Sequence, residues 1–211
     1  MIWAFATRTD SSDVLAEGAG LSQNASKLRF FLRAETRQCH TDTEAAFGRF
    51  RLETRSGFTD FLTAHRQALL VVRPVFERQN PFEVKVESLL DDIDHDLEIL
   101  GEKSTDIDDP ETIDAHPVGV SYVLAGSHLG ASLLLRSVSE QTDPVLKKST
   151  NYLANSHLGS VWKRMLSDFE TGRWEEDKLA ILDGARKTFG VFEMAANRRQ
   201  QDTTPYEHAL F

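Results

Sequence analysis

From residue 27 onward, apolar side chains return every three or four positions in each long segment, and no stretch alternates apolar with polar residues over strand length. A chain patterned this way buries its apolar faces by laying helix on helix. The pattern therefore predicts an all-α fold, a compact multi-helix bundle. At 211 residues the chain is long enough for a real core and short enough to be one domain. No internal repeat divides it.

The spacing places a first helix over residues 27–47, with Ser26 as N-cap and Gly48 as its stop. A second runs over 57–79 and carries a kink at Pro74. A third opens at Asn80-Pro81 and ends at Gly101. Residues 102–116 read as an acidic loop. The fourth helix starts near Pro117, extends through Leu135 and is closed off by Asp143-Pro144. Shorter helices follow over 145–155 and 159–170, and a last long one follows Trp174 and ends near Arg199. Residues 1–26 are rich in Ser, Gly, Thr, Asp and Ala without a sustained period and read as a flexible arm. The domain is then residues 27–200, with a tail over 201–211.

Composition removes several classes of function. Lys+Arg 24 against Asp+Glu 33 gives a net charge of −9, which disfavours a nucleic-acid surface. The single cysteine excludes an internal disulfide and a cysteine-rich metal site, in keeping with a reducing compartment. No apolar run approaches the ~20 residues of a membrane span. The apolar opening, residues 1–6, is too short for the core of a signal peptide and has no basic flank before it. These features predict a cytoplasmic protein without nucleic-acid or membrane partners.

Two helices carry the residues with chemistry. In the segment LRAETRQCHTDTE, residues 32–44, Arg33, Arg37, His40 and Glu44 fall within about 60° of one another on a helical wheel. Such a face combines a nitrogen donor, two cations and an acceptor one turn beyond the imidazole. It suits an anionic, metal-containing ligand. The alternative is a solvated stripe in which the arginines pair with Glu35 or Asp42. Cys39 sits ~100° away, on the core side, and is poorly placed to act as a ligand.

The second is YVLAGSHLGAS, residues 122–132. Two glycines four apart in a helix interior cost roughly 1 kcal/mol each relative to alanine, so they need a reason. One reason is close approach of a neighbouring helix. The other is a flat group lying against bare backbone. Tyr122, Gly126, Leu129, Gly130 and Leu133 share that face.

TRQCHTDTE and YVLAGSHLGAS, taken together with their order and separation, resemble the proximal and distal helices of haem oxygenases, especially the short bacterial, biliverdin-producing type. Weaker similarity reaches Trp162 and residues 189–197, so the resemblance spans about residues 28–198. It implies a bundle that clamps haem b between the two helices, with haem as both cofactor and substrate. The implied reaction is cleavage of haem by O2 and an external reductant to biliverdin, ferrous iron and CO.

By the same resemblance, His40 matches the axial iron ligand and Glu44 the residue supporting it. Arg33 and Arg37 match basic positions facing the propionates, and Arg164 is a further candidate there. Tyr122 matches an aromatic position at the haem edge. Gly126 and Gly130 match the distal glycines. Ser127 stands where many members carry an aspartate that organises water, and bacterial members with serine there are active.

A neutral imidazole ligand avoids the electron push of a thiolate, so the O–O bond is not forced to break early. Glycines opposite leave room for oxygen and ordered water. The implied partners are a ferredoxin or flavodoxin with its reductase, and a biliverdin user such as a bacteriophytochrome. His128 invites a different reading. As a second axial ligand it would make the protein a non-catalytic haem-binding or sensor protein, but it lies ~160 to 200° from Gly126 and Gly130. His65 and His95 read as structural or exposed residues.

Overall fold

The computed structural model describes residues 25–103 and 112–203, and among them every regular element is helical. In chain order these are α1 (Ala25–Glu35), α2 (Arg37–Phe47), α3 (Arg55–Arg78), α4 (Val86–Leu100), α5 (Pro117–Ser139), α6 (Pro144–Lys148), α7 (Asn151–Ala154), α8 (His157–Phe169) and α9 (Lys178–Thr203). The multi-helix bundle expected from periodicity is what forms. The arm and the tail lie outside the described residues up to 24 and from 204.

Several helix ends follow the local chemistry that the sequence advertises. Thr54 accepts from the Gly57 amide at 3.1 Å as N-cap of α3. Pro117 opens α5 behind His116, and Gly101 takes a left-handed φ of 89° after α4. Pro74 lies inside α3, as expected.

Other boundaries differ for visible reasons. α1 already contains Ser26, so that residue is not the N-cap. The expected rod over 27–47 is broken at Thr36, whose hydroxyl donates to the Leu32 carbonyl at 2.7 Å. Residues 80–81 do not start a helix. The Asn80 carboxamide instead binds both the amide and the carbonyl of Val84, at 2.8 and 2.9 Å, fastening a loop ahead of α4. The segment 145–155 splits into α6 and α7, and α9 runs past residue 200 to Thr203.

α9 organises the rest. Along it, α2 advances in the same sense. Glu35, just before α2, meets Arg186 at 2.9 Å, Thr43 donates to the Phe189 carbonyl at 3.3 Å, and Arg49 donates to Asn197. α5 advances alongside in that sense too. Its start lies against Gly184 and Ile181, while Ser127 and His128 line a cavity with His65, whose ring is 5.6 Å from Phe192. α3 runs the other way under α9, with Asp60 on Arg199 at 2.7 Å. α4 is tied to α3 through Arg66 and Asp94 at 2.6 Å, and α8 covers α5 through Trp162 on Tyr122.

The α5–α9 crossing is made by glycines other than the pair singled out in the sequence. A Cβ on Gly119 would stand 2.3 Å from the Ile181 carbonyl oxygen, and one on Gly184 would stand 2.9 Å from the His116 backbone. α5 is also long and apolar enough to cross a membrane by length and composition, contrary to the reading of its sequence. In the bundle 61% of its most apolar stretch is buried, as befits a core helix.

Candidate functional site

His40 stands on α2 one turn beyond the Thr36 break. Its Nδ1 is 3.6 Å from a Glu44 carboxylate oxygen, and its ring meets Phe189 of α9 edge-on at 6.0 Å. Thr43 holds this stretch on α9 with one hydroxyl shared between its own helix, at the Cys39 carbonyl, and the Phe189 carbonyl. The imidazole is thus steadied on one side by a carboxylate and on another by an aromatic edge. A carboxylate at Nδ1 is the arrangement that fixes a histidine's tautomer and ring orientation for a metal.

Neither Arg33 nor Arg37 makes the Glu35 or Asp42 pairing that the sequence offered. Glu35 is taken by Arg186, and Asp42 accepts from Gln38 at 2.8 Å. Arg33 and Arg37 are exposed and have no carboxylate partner among the described residues. Two cations without anions, in a protein of net charge −9, form a face able to receive carboxylates. Arg164 is not part of it. It donates to the Glu83 carboxylate at 2.7 Å and to the Phe82 carbonyl at 2.6 Å, on the far side of α8.

Tyr122 joins the two helices. It is only 1% exposed, its ring lies 5.9 Å from Trp162, and its hydroxyl is hydrogen-bonded to Thr36. Burial pushes its phenol up to about 12, against the opposing pull of the Thr36 bond and of Arg29 and Arg33 nearby. α2 and α5 both pack on α9. His40 is one turn beyond the Thr36–Tyr122 contact on α2 and Gly126 one turn beyond it on α5, with Glu44 and Gly130 a turn further. Gly126 and Gly130 are buried, while Leu129 and Leu133 beside them are 37% and 55% exposed.

The reverse side of α5 is mixed, with Ser127 and His128 beside Ala131 and Leu134. Ser127 donates to the Leu124 carbonyl at 2.7 Å and, with His128, borders a cavity of about 30 Å³ closed by His65 and Tyr152. A Cβ on Gly159 of α8 would stand 3.0 Å from His128 Nε2, so the imidazole is seated on bare α8 backbone. His128 therefore packs away from the glycine face, as helical geometry anticipates. His95 is exposed.

His65 is structural, with Nδ1 2.9 Å from the Phe61 carbonyl and its ring among Phe47, Phe61, Tyr152 and Phe192. Burial drives it down to about 4, outweighing the Phe61 bond that favours the charged form. The unfolded chain takes up this proton near pH 6.5, so stability is full above that and is lost as pH falls towards 4, by about 3 kcal/mol. Denaturant unfolding at pH 7 and pH 4.5 checks this. His65→Phe is expected to lose clearly less stability between the two pH values than the wild type, whereas equal losses would contradict the assignment.

Thr36 and Thr43 are the supports that motif reading passes over, although their one-turn offsets from His40 were the available signal. No family model, curated protein or solved structure matches the chain. Among the described residues no group of three or more His, Cys, Asp or Glu is disposed to hold a metal ion, so a metal held by the protein alone has no evident seat. A metal brought in by its own macrocycle needs only one protein ligand.

Proposed function

We propose that this protein is a haem oxygenase, with the haem bound between α2 and the glycine face of α5. One observation carries the reading: an imidazole with its own i+4 carboxylate beside it stands on α2 with Arg37, and Arg33 follows on α1 just across the Thr36 break, both arginines without a carboxylate partner among the described residues. The residues present fit the group. His40 offers a neutral nitrogen ligand oriented by Glu44, Arg33 and Arg37 offer charge for two propionates, and Leu129 and Leu133 offer apolar walls.

Bound haem supplies the redox iron and is itself oxidised, with O2 and electrons from an external donor, to biliverdin, ferrous iron and CO. The chain's part is positional. Glu44, with a carboxylate oxygen 3.6 Å from His40 Nδ1, orients the imidazole so that the other nitrogen is the ligand. The arginines set how far the macrocycle enters, because a guanidinium can grip a carboxylate bidentately. Gly126 and Gly130 keep bulky acid–base side chains off the opposite face, and Ser127 is the nearest hydroxyl to them in sequence. A non-catalytic bis-histidine form would need His128 to leave Gly159 and turn through α5.

A cytoplasmic setting, a ferredoxin or flavodoxin donor and a biliverdin-using acceptor such as a bacteriophytochrome belong to the same proposal. Haem-loaded protein given reductant and O2 is expected to release one CO per haem consumed. Haem loss without CO would defeat the proposal. Removing the exposed Arg33 or Arg37 with alanine is expected to weaken haem binding about fivefold each, with the loss shrinking in high salt. Soret titration at low and high ionic strength measures both effects.

A further inference from the structure

Arg33 and Arg37 stand on different helices, so no helical repeat fixes the distance between them. The joint at Thr36 does. Thr36 is only 2% exposed, its amide and hydroxyl both close on the Leu32 carbonyl, and its own carbonyl receives the His40 amide at 2.9 Å. The bend held here sets where α1 places Arg33 relative to Arg37 and His40 on α2.

Two groups grip the joint from other helices. Tyr122 of α5 is hydrogen-bonded to Thr36. Arg186 of α9 donates through Nη2 to the Glu35 carboxylate at 2.9 Å and to the Glu35 backbone carbonyl at 3.1 Å. Because it takes the carbonyl as well as the side chain, the guanidinium is fastened to the chain itself. On α1, Glu35 points about 160° away from Arg33 at 100° per residue, so Arg186 approaches from behind the cationic face.

The other moorings of α1 lie a turn or more before the joint. Leu28 and Leu32 are buried, Arg29 lies 5.9 Å over the Trp162 ring, and Lys178 lies 6.0 Å over the Phe31 ring. They keep α1 on the bundle without Arg186. The Arg186–Glu35 pair is 47% exposed on each side, and a pair so open to water adds little to stability. What it governs is alignment.

We propose that Arg186 is a positioning residue that braces the α1–α2 joint, fixing the spacing of Arg33 from Arg37 and His40 and so selecting a ligand whose two carboxylates lie at a set distance from its metal. The choice of ligand rests on the haem oxygenase reading, whereas the brace does not. A rigid macrocycle cannot follow cations that drift, and a guanidinium meets a carboxylate bidentately only in a fork-to-fork approach.

Hydrogen exchange without ligand and a set of binding titrations test it. In Arg186→Leu the Thr36 and His40 amides at the joint are expected to exchange about fivefold faster, while the Gly48 amide beyond α2 and the melting temperature stay as in the wild type. Unchanged exchange at the joint would overturn the proposal whether or not haem binds. Haem and its dimethyl ester then separate alignment from general loosening, because the ester keeps iron and ring but carries no carboxylates. The wild type is expected to prefer haem, and Arg186→Leu to lower haem affinity about threefold with ester affinity unchanged. Arg186→Leu combined with Glu35→Gln removes both charges of the pair and is expected to keep that loss. Recovery of haem affinity in the double variant would reduce Arg186 to a charge effect and overturn its positioning role, as would equal losses for haem and ester or no loss for either. A wild type that binds no haem would strike the haem oxygenase reading and the ligand selection with it, and the exchange measurement would still decide the brace.

Discussion

His40→Ala is expected to lower haem affinity on the order of 100-fold and to bring CO release to background, while the melting temperature stays close to that of the wild type. The separation of effects follows from the site. α2 keeps its seat on α9 through Thr43 and Phe47 when the imidazole that meets Glu44 and one edge of Phe189 is removed. Glu44→Gln should fall between the two proteins, since it keeps an acceptor for the imidazole but loses the charge. Soret titrations of all three, with thermal unfolding beside them, check the ordering. An alanine variant that binds haem as the wild type does would remove His40 from the site.

The second large effect is structural. Gly119→Ala places a methyl carbon 2.3 Å from the Ile181 carbonyl oxygen and 2.7 Å from the Ala185 amide, both backbone atoms that cannot step aside. The α5–α9 crossing must open. Overpacking of this kind costs about 3 kcal/mol, equivalent to a melting point roughly 6–12 °C lower in a domain of this size. Because α2 and α5 both pack on α9, haem affinity is expected to fall together with stability. Gly190→Ala on α9 serves as the control, since its Cβ meets nothing within 4 Å. Equal melting points for the two variants would show that the crossing is looser than described.

These cases also show what the sequence made legible. Helical periodicity revealed the bundle because each long helix buries one stripe, and Arg37, His40 and Glu44 were readable as neighbours because α2 supplies all three at fixed angles, whereas the Thr36 break that moves Arg33 to α1 was not. The Gly119–Gly184 contact was hidden. It joins helices distant in sequence, and neither glycine breaks the pattern of its own helix. The Thr36 break and the Asn80 loop escaped for a related reason, since both depend on a side chain competing with the backbone for hydrogen bonds. Whether Arg33 and Arg37 were paired was equally invisible, because the decisive partner, Arg186, approaches Glu35 from α9. The aromatic box around His65 draws on four separate segments, which no local pattern announces.

The central claim is that haem held by His40 is opened to biliverdin, and a single-turnover absorption experiment addresses it most directly. Wild-type protein loaded with one equivalent of haem is given reductant and O2, and the full visible spectrum is followed. The account predicts that the Soret band disappears as the biliverdin absorption rises to match the haem consumed, and that His40→Ala yields no biliverdin. A Soret band that persists, or that bleaches without biliverdin appearing, would contradict it.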